Sequence, residues 1–106
     1  MARNGTIVPM YQQPPGRFKV QRVQTGVRIE KRLLKVLKGL AEYLEMSLGD
    51  LLEGICLHAF EGESPFEPRT LEKIEQLKDI FGMDYGKDRS HRMTEEEGDE
   101  ANEEEV

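Results

Sequence analysis

The stretch VQTGVRIEKRLLKVL, residues 23–37, changes its hydrophobic period without a glycine or proline between the two parts. Over residues 22–29 apolar and polar side chains alternate, which is typical of a half-buried β-strand. The side chains on its apolar face are Val23, Thr25, Val27 and Ile29. From Lys31 onward the apolar spacing is helical. No second strand is evident in the chain, and a lone short strand is not stable. The pattern therefore predicts that two copies of the chain pair their strands.

Three helices are predicted after this strand. The first covers residues 31–44, where leucines recur at helical spacing. Ser47 is a good N-cap for a second helix, which Gly62 should end. Inside that helix Gly54 costs about 1 kcal/mol relative to alanine, which favours a close packing contact there. A third helix, about residues 71–81, follows Thr70 as its cap and ends at Gly82.

The charged residues are segregated along the chain, although the net charge is only −6. Residues 1–40 hold nine lysines and arginines against one acid, Glu30, whereas residues 93–106 hold eight acids and no base. A basic front indicates contact with nucleic acid, and an acidic rear indicates a solvating or regulatory tail. Chance clustering on a solvated surface is the alternative.

The domain organisation follows from these patterns. The 106 residues are enough for one small domain. We predict a flexible N-terminal arm in residues 1–18, a strand and two helices in residues 19–62, a loop and third helix in residues 63–83, and a disordered acidic tail in residues 84–106.

Several function classes are disfavoured by the sequence. No apolar run reaches the length of a membrane span, the N-terminus lacks the apolar core of a signal peptide, and Cys56 is the lone cysteine. We therefore expect a cytoplasmic protein with no membrane contact. No nucleophile–base set, phosphate-binding glycine loop or pair of catalytic carboxylates is evident, and His58 and His91 lie far apart. We expect no enzymatic activity, no catalytic residue, no metal site and no cofactor.

The segment TGVRIEKRLLKVLKGLAEYLEMSLGDLLEGI resembles the ribbon-helix-helix family of DNA-binding proteins, to which the Arc and methionine repressors belong. The resemblance covers about residues 21–61 and rests on the VRI strand end, the first helix and the MSLGDLL start of the second. It implies an intertwined homodimer whose two strands form an antiparallel intermolecular β-ribbon that lies in the DNA major groove. The fold expected is therefore mainly α, with one short β-strand and an added third C-terminal helix.

The same resemblance implies which residues contact DNA. The base-reading positions fall on Gln24, Gly26 and Arg28, of which arginine can pair with guanine and glutamine with adenine. The phosphate-contacting positions include the second-helix N-terminus, where free N–H groups bind anions. The residues predicted to contact DNA phosphates are Arg22 and, at the start of the second helix, Ser47, Leu48 and Gly49. The function implied is that of a sequence-specific transcriptional regulator, such as a repressor.

The alternative function is a protein-interaction module with weak or no DNA binding. The same homodimer would then hold a protein partner through the third helix or the acidic tail, as an antitoxin holds its toxin. The negative net charge and the extra C-terminal segment favour this alternative. The tail itself has three open roles: an autoinhibitory competitor of DNA phosphate, a partner-binding segment or an inert solubiliser.

Overall fold

Three α-helices follow one another in the computed structural model, which describes residues 17–96. They are α1 (Lys31–Leu44), α2 (Leu48–Phe60) and α3 (Pro68–Phe81), and a short 3-10 turn, Lys87–Arg89, comes after them. The predicted helices α1 and α2 are confirmed. Residues 1–16 of the predicted arm and 97–106 of the predicted tail lie outside the described residues.

Helix α3 begins three residues earlier than the sequence predicts. Its first residue is a proline, which is favoured in the first turn of a helix because its missing N–H has no acceptor there in any case. Thr70, the predicted cap, is therefore a buried residue inside the first turn, and Glu67 precedes the helix.

Local signals fix both ends of the connection between α1 and α2. The chain leaves α1 at Glu45, which takes a left-handed conformation with φ 60°, while the Met46 N–H donates to the Ala41 carbonyl at 3.0 Å. Two residues later the Ser47 hydroxyl accepts a hydrogen bond from the Asp50 N–H at 3.0 Å. Ser47 is therefore the N-cap that the sequence predicts.

The predicted strand is not formed. Residues 22–29 belong to neither helix nor strand, and no strand occurs anywhere in residues 17–96 of the single chain. Val23 and Val27 of the predicted buried face are 85% and 75% exposed. The predicted ribbon-helix-helix fold with its intermolecular ribbon is therefore wrong, whereas its mainly α character and its third C-terminal helix are found. Alternation describes which side chains share a face, whereas a strand also requires a second edge for its backbone hydrogen bonds.

The core lies where α1 packs against α2 and α3. Leu40, Ala41 and Leu51 are buried in it, and the half-buried apolar side chains around them are Leu37, Leu44, Ile55, Phe66, Ile74 and Leu77. The absence of a side chain at Gly39 lets α3 approach α1, since a Cβ there would lie 3.0 Å from the Leu77 Cδ2. A Cβ at Gly54 would meet nothing within 4 Å in the described chain. The close contact predicted at Gly54 is therefore not found there.

None of the helices in residues 17–96 combines the length and the apolar character needed to cross a membrane.

Candidate nucleic-acid interface

Eight basic residues lie between residues 17 and 38, and seven of them are exposed. We call these seven side chains the basic surface; its members are Arg17, Lys19, Arg22, Arg28, Lys31, Lys35 and Lys38. The first four belong to an extended segment, residues 17–28, and the lysines of α1 follow at spacings of four and three residues. Such spacing places the three lysines on one stripe of the helix.

The predicted base-reading residues all lie on the exposed extended segment. Gln24, Gly26 and Arg28 are exposed, and a Cβ built at Gly26 would meet open space. The Arg28 Nε lies 3.1 Å from each carboxylate oxygen of Glu95, and the Arg28 Nη2 also contacts this carboxylate. Hydrogen bonding to Arg28 and the charge of its guanidinium lower the pKa of Glu95. Two of the guanidinium nitrogens of Arg28, the main candidate for reading a base, therefore already contact the carboxylate of Glu95.

The predicted phosphate-contacting residue Arg22 reaches α2. Its Nε and Nη2 each lie 2.8 Å from an oxygen of Glu53, which makes a bidentate ion pair. The hydrogen bond from Arg22 lowers the pKa of Glu53, and Asp50 adds a smaller attraction for the Arg22 cation. A phosphate that bound Arg22 would thus compete with Glu53.

The other predicted phosphate contacts, Ser47, Leu48 and Gly49, lie together at the start of α2. The Ser47 hydroxyl is used as the helix cap. The first N–H groups of an α-helix have no acceptor within it, so the N–H groups of Leu48 and Gly49 point out of the first turn. Asp50 in the same turn opposes an anion at this position by its negative charge. The predicted phosphate contacts therefore all lie on or against α2, and two carboxylates of this helix, Asp50 and Glu53, lie beside them.

A cluster that the sequence did not predict links the start of α1 to the chain after α3. The Glu30 carboxylate accepts hydrogen bonds from the Leu33 N–H at 2.9 Å, the Tyr85 hydroxyl at 2.7 Å and the Arg32 Nε at 3.0 Å. Arg32 also lies 3.2 Å from an oxygen of Asp84 and 5.4 Å from the centre of the Tyr85 ring. This cluster holds residues 84–85 against α1. Tyr85, an aromatic residue in an otherwise polar stretch, is the signal that could have indicated it.

The pKa values of Glu30 and Tyr85 in this cluster differ from their ordinary values. Partial burial by itself would raise the pKa of Glu30, but the hydrogen bonds from Tyr85, Leu33 and Arg32 outweigh it and lower that pKa. Burial and the hydrogen bond to Glu30 raise the pKa of Tyr85 to about 12. Glu30 is the sole acid of residues 17–38. Its negative charge is therefore stabilised by hydrogen bonds within the chain.

An apolar groove runs between the extended segment and α2. Val20 lines it on one side and Leu52, Cys56 and Leu57 line it on the other, around a volume of about 490 Å³. Helix α2 is apolar on several sides, yet Leu51 is the one residue of this helix that is buried in the described chain. A helix with such a composition is normally covered on more than one side. The groove is therefore a candidate protein-binding surface.

No three histidine, cysteine, aspartate or glutamate side chains in residues 17–96 are placed to hold a metal ion. The His58 Nδ1 instead lies 2.8 Å from the Gly54 carbonyl oxygen of its own helix.

Comparisons of the chain with protein-family models, with curated proteins and with solved structures find no match. The features of the described residues that indicate a function are the basic surface and the apolar groove.

Proposed function

We propose that the protein binds double-stranded DNA through its basic surface and acts in the cytoplasm as a transcriptional regulator. The observation that carries this proposal is the run of seven exposed cations in residues 17–38, where the single acid, Glu30, accepts three hydrogen bonds. Duplex DNA carries a phosphate charge about every 1.7 Å, and each cation that neutralises a phosphate releases a counterion. The proposed activity is binding alone and requires no catalytic residue, metal or cofactor.

The extended segment and α1 have different tasks in this proposal. Phosphate contacts fix the position of a protein on DNA, whereas contacts with base edges give specificity. Arg17, Lys19 and the α1 lysines supply phosphate contacts. Arg28 and Gln24, on the exposed segment, are the residues able to read guanine and adenine in a groove. Glu95 would have to leave Arg28 before that residue reached a base.

Paired charge variants test this proposal. Arg17→Gln with Lys19→Gln removes two cations from the basic surface, and Arg69→Gln with Lys87→Gln removes two exposed cations from elsewhere on the chain. Binding to a labelled duplex is measured by fluorescence anisotropy over a series of salt concentrations. The first pair should weaken binding to every sequence and reduce the slope of log K against log salt by about 0.9 for each phosphate that is no longer neutralised.

The control pair should leave both affinity and slope near the wild-type values. Circular dichroism of all variants confirms that the helices are intact. Equal losses of affinity in the two pairs would show that net charge, rather than the basic surface, governs binding. A wild-type protein that binds no duplex even at low salt would exclude the proposed function.

A second candidate function, self-association, is favoured by the apolar groove. Leu57 and Phe60 on α2 are 63% and 81% exposed, which leaves a large apolar area of this helix in water. The occupant proposed for this surface is a second copy of the chain, since an interface about a two-fold axis would cover the same apolar patch on both copies. The ion pair of Arg22 with Glu53 within the chain lies on the lining of the same groove. A small domain with a modest core commonly gains stability in this way.

A further inference from the structure

The acidic end of the described chain lies against the basic surface. Arg28 and Glu95 are 67 positions apart in the sequence, and both the Nε and the Nη2 of Arg28 contact the Glu95 carboxylate. The pair is exposed, with 75% of the Arg28 side chain and 61% of the Glu95 side chain accessible. An exposed ion pair is weak, so a stronger or more highly charged anion can replace Glu95.

Glu95 is the first of eight acids in residues 95–105, a stretch without a base. A tethered group competes at an effective concentration that a short flexible tether can bring to the millimolar range. The contact of Glu95 with Arg28 therefore brings the start of a dense run of carboxylates to the point where the basic surface passes from the extended segment to α1.

We propose that the short acidic segment Glu95–Glu96 competes with DNA phosphate for the basic surface, with Arg28 as the point of contact of Glu95. This inference rests on the proposed DNA-binding function, since competition requires that the basic surface bind DNA. Competition by charge alone is independent of sequence and acts most strongly on binding that is itself purely electrostatic. The segment would thus suppress binding to random DNA more than binding to a preferred site, and salt would screen the effect.

Single-charge variants of the full chain test the competition. Glu95→Gln removes the contacting carboxylate, and Glu63→Gln removes one carboxylate from an exposed loop with the same change in net charge. Affinity for a scrambled duplex is measured at low and at high salt. Glu95→Gln should bind about two- to fivefold more tightly than wild type at low salt, and the gain should disappear at high salt. Glu63→Gln should bind as wild type does.

A double variant extends the comparison. Glu95→Gln with Glu96→Gln should gain more affinity for the scrambled duplex than Glu95→Gln alone. The control, Glu63→Gln with Glu72→Gln, has the same change in net charge and should gain less affinity than the Glu95 and Glu96 double variant. If the variants at residues 95 and 96 bind no better than their matched controls, the competition is refuted while the DNA-binding function stands.

The contact itself has a readout that needs no DNA. In NMR titrations of the full chain, the pKa of the Glu95 carboxyl should lie below its ordinary value in wild type and return toward it in Arg28→Gln. An unchanged Glu95 titration in Arg28→Gln would overturn the inference at its point of contact. If this contact is present but no variant binds duplex DNA at low salt, the proposed function fails and the competition fails with it.

Discussion

Of the three hydrogen bonds that the Glu30 carboxylate accepts, the one from the Leu33 N–H caps α1 and the one from the Tyr85 hydroxyl connects this helix end to a distant part of the chain. Its pKa is lower in the folded protein than the ordinary value of about 4.3. A carboxyl group with a lowered folded pKa contributes stability above its unfolded pKa, and this contribution is lost as the pH falls through the folded value. The protein should therefore lose the Glu30 contribution below about pH 4.

Tyr85→Phe tests this residue directly. The change removes the hydrogen bond of 2.7 Å to Glu30 and keeps the ring, so the free energy of unfolding should fall by about 1 kcal/mol near neutral pH. The pKa of Glu30 should rise toward its ordinary value, and the stability difference from wild type should shrink as Glu30 is protonated. Urea unfolding at several pH values measures this. Tyr43→Phe, at an exposed tyrosine, is the control and should be nearly neutral.

At the scale of the elements, two glycines in helix interiors have opposite surroundings. A Cβ at Gly54 would enter open space, whereas one at Gly39 would lie 3.0 Å from Leu77 and 3.6 Å from Phe81. Gly54→Ala should raise the free energy of unfolding by about 0.5–1 kcal/mol through helix propensity. Gly39→Ala has the same propensity gain, but the displacement of Leu77 in the core should offset it. Thermal unfolding compares the two variants, and an equal gain at both positions would mean that α3 does not pack closely on Gly39.

The elements also show what the sequence can and cannot predict. The ends of the helices are predictable where their signals are local: Ser47 caps α2, and Gly82, in the left-handed conformation, ends α3. The strand expected in residues 22–29 is wrong because alternation is a local property, while strand pairing depends on a distant edge. The start of α3 is hard to predict because a proline is equally at home in a loop and in the first turn of a helix.

Across the whole molecule, the candidate interface is predictable in its charge and not in its contacts. Segregation of charge along the chain indicates the run of cations that the structure leaves exposed. The pairs Arg22–Glu53 and Arg28–Glu95 span 31 and 67 positions, and no spacing rule in a sequence specifies contacts over such separations. The groove beside α2 is likewise unpredictable, since it depends on where the extended segment lies.

Self-association is a property of the whole molecule, and the apolar groove predicts how it can be disrupted. Leu57→Asp places a charge in the groove, whereas Ile80→Asp places one on α3, where the side chain is 69% exposed in the single chain. Burial of an unpaired charge in an interface is strongly unfavourable. Leu57→Asp should therefore shift the protein toward monomer in sedimentation velocity, and the thermal midpoint should lose its dependence on protein concentration. Ile80→Asp should associate as wild type does. A wild-type protein that stays a folded monomer at high concentration would exclude a second copy of the chain as the occupant of the groove. If a different protein then binds and Leu57→Asp abolishes that binding, the occupant is this other partner.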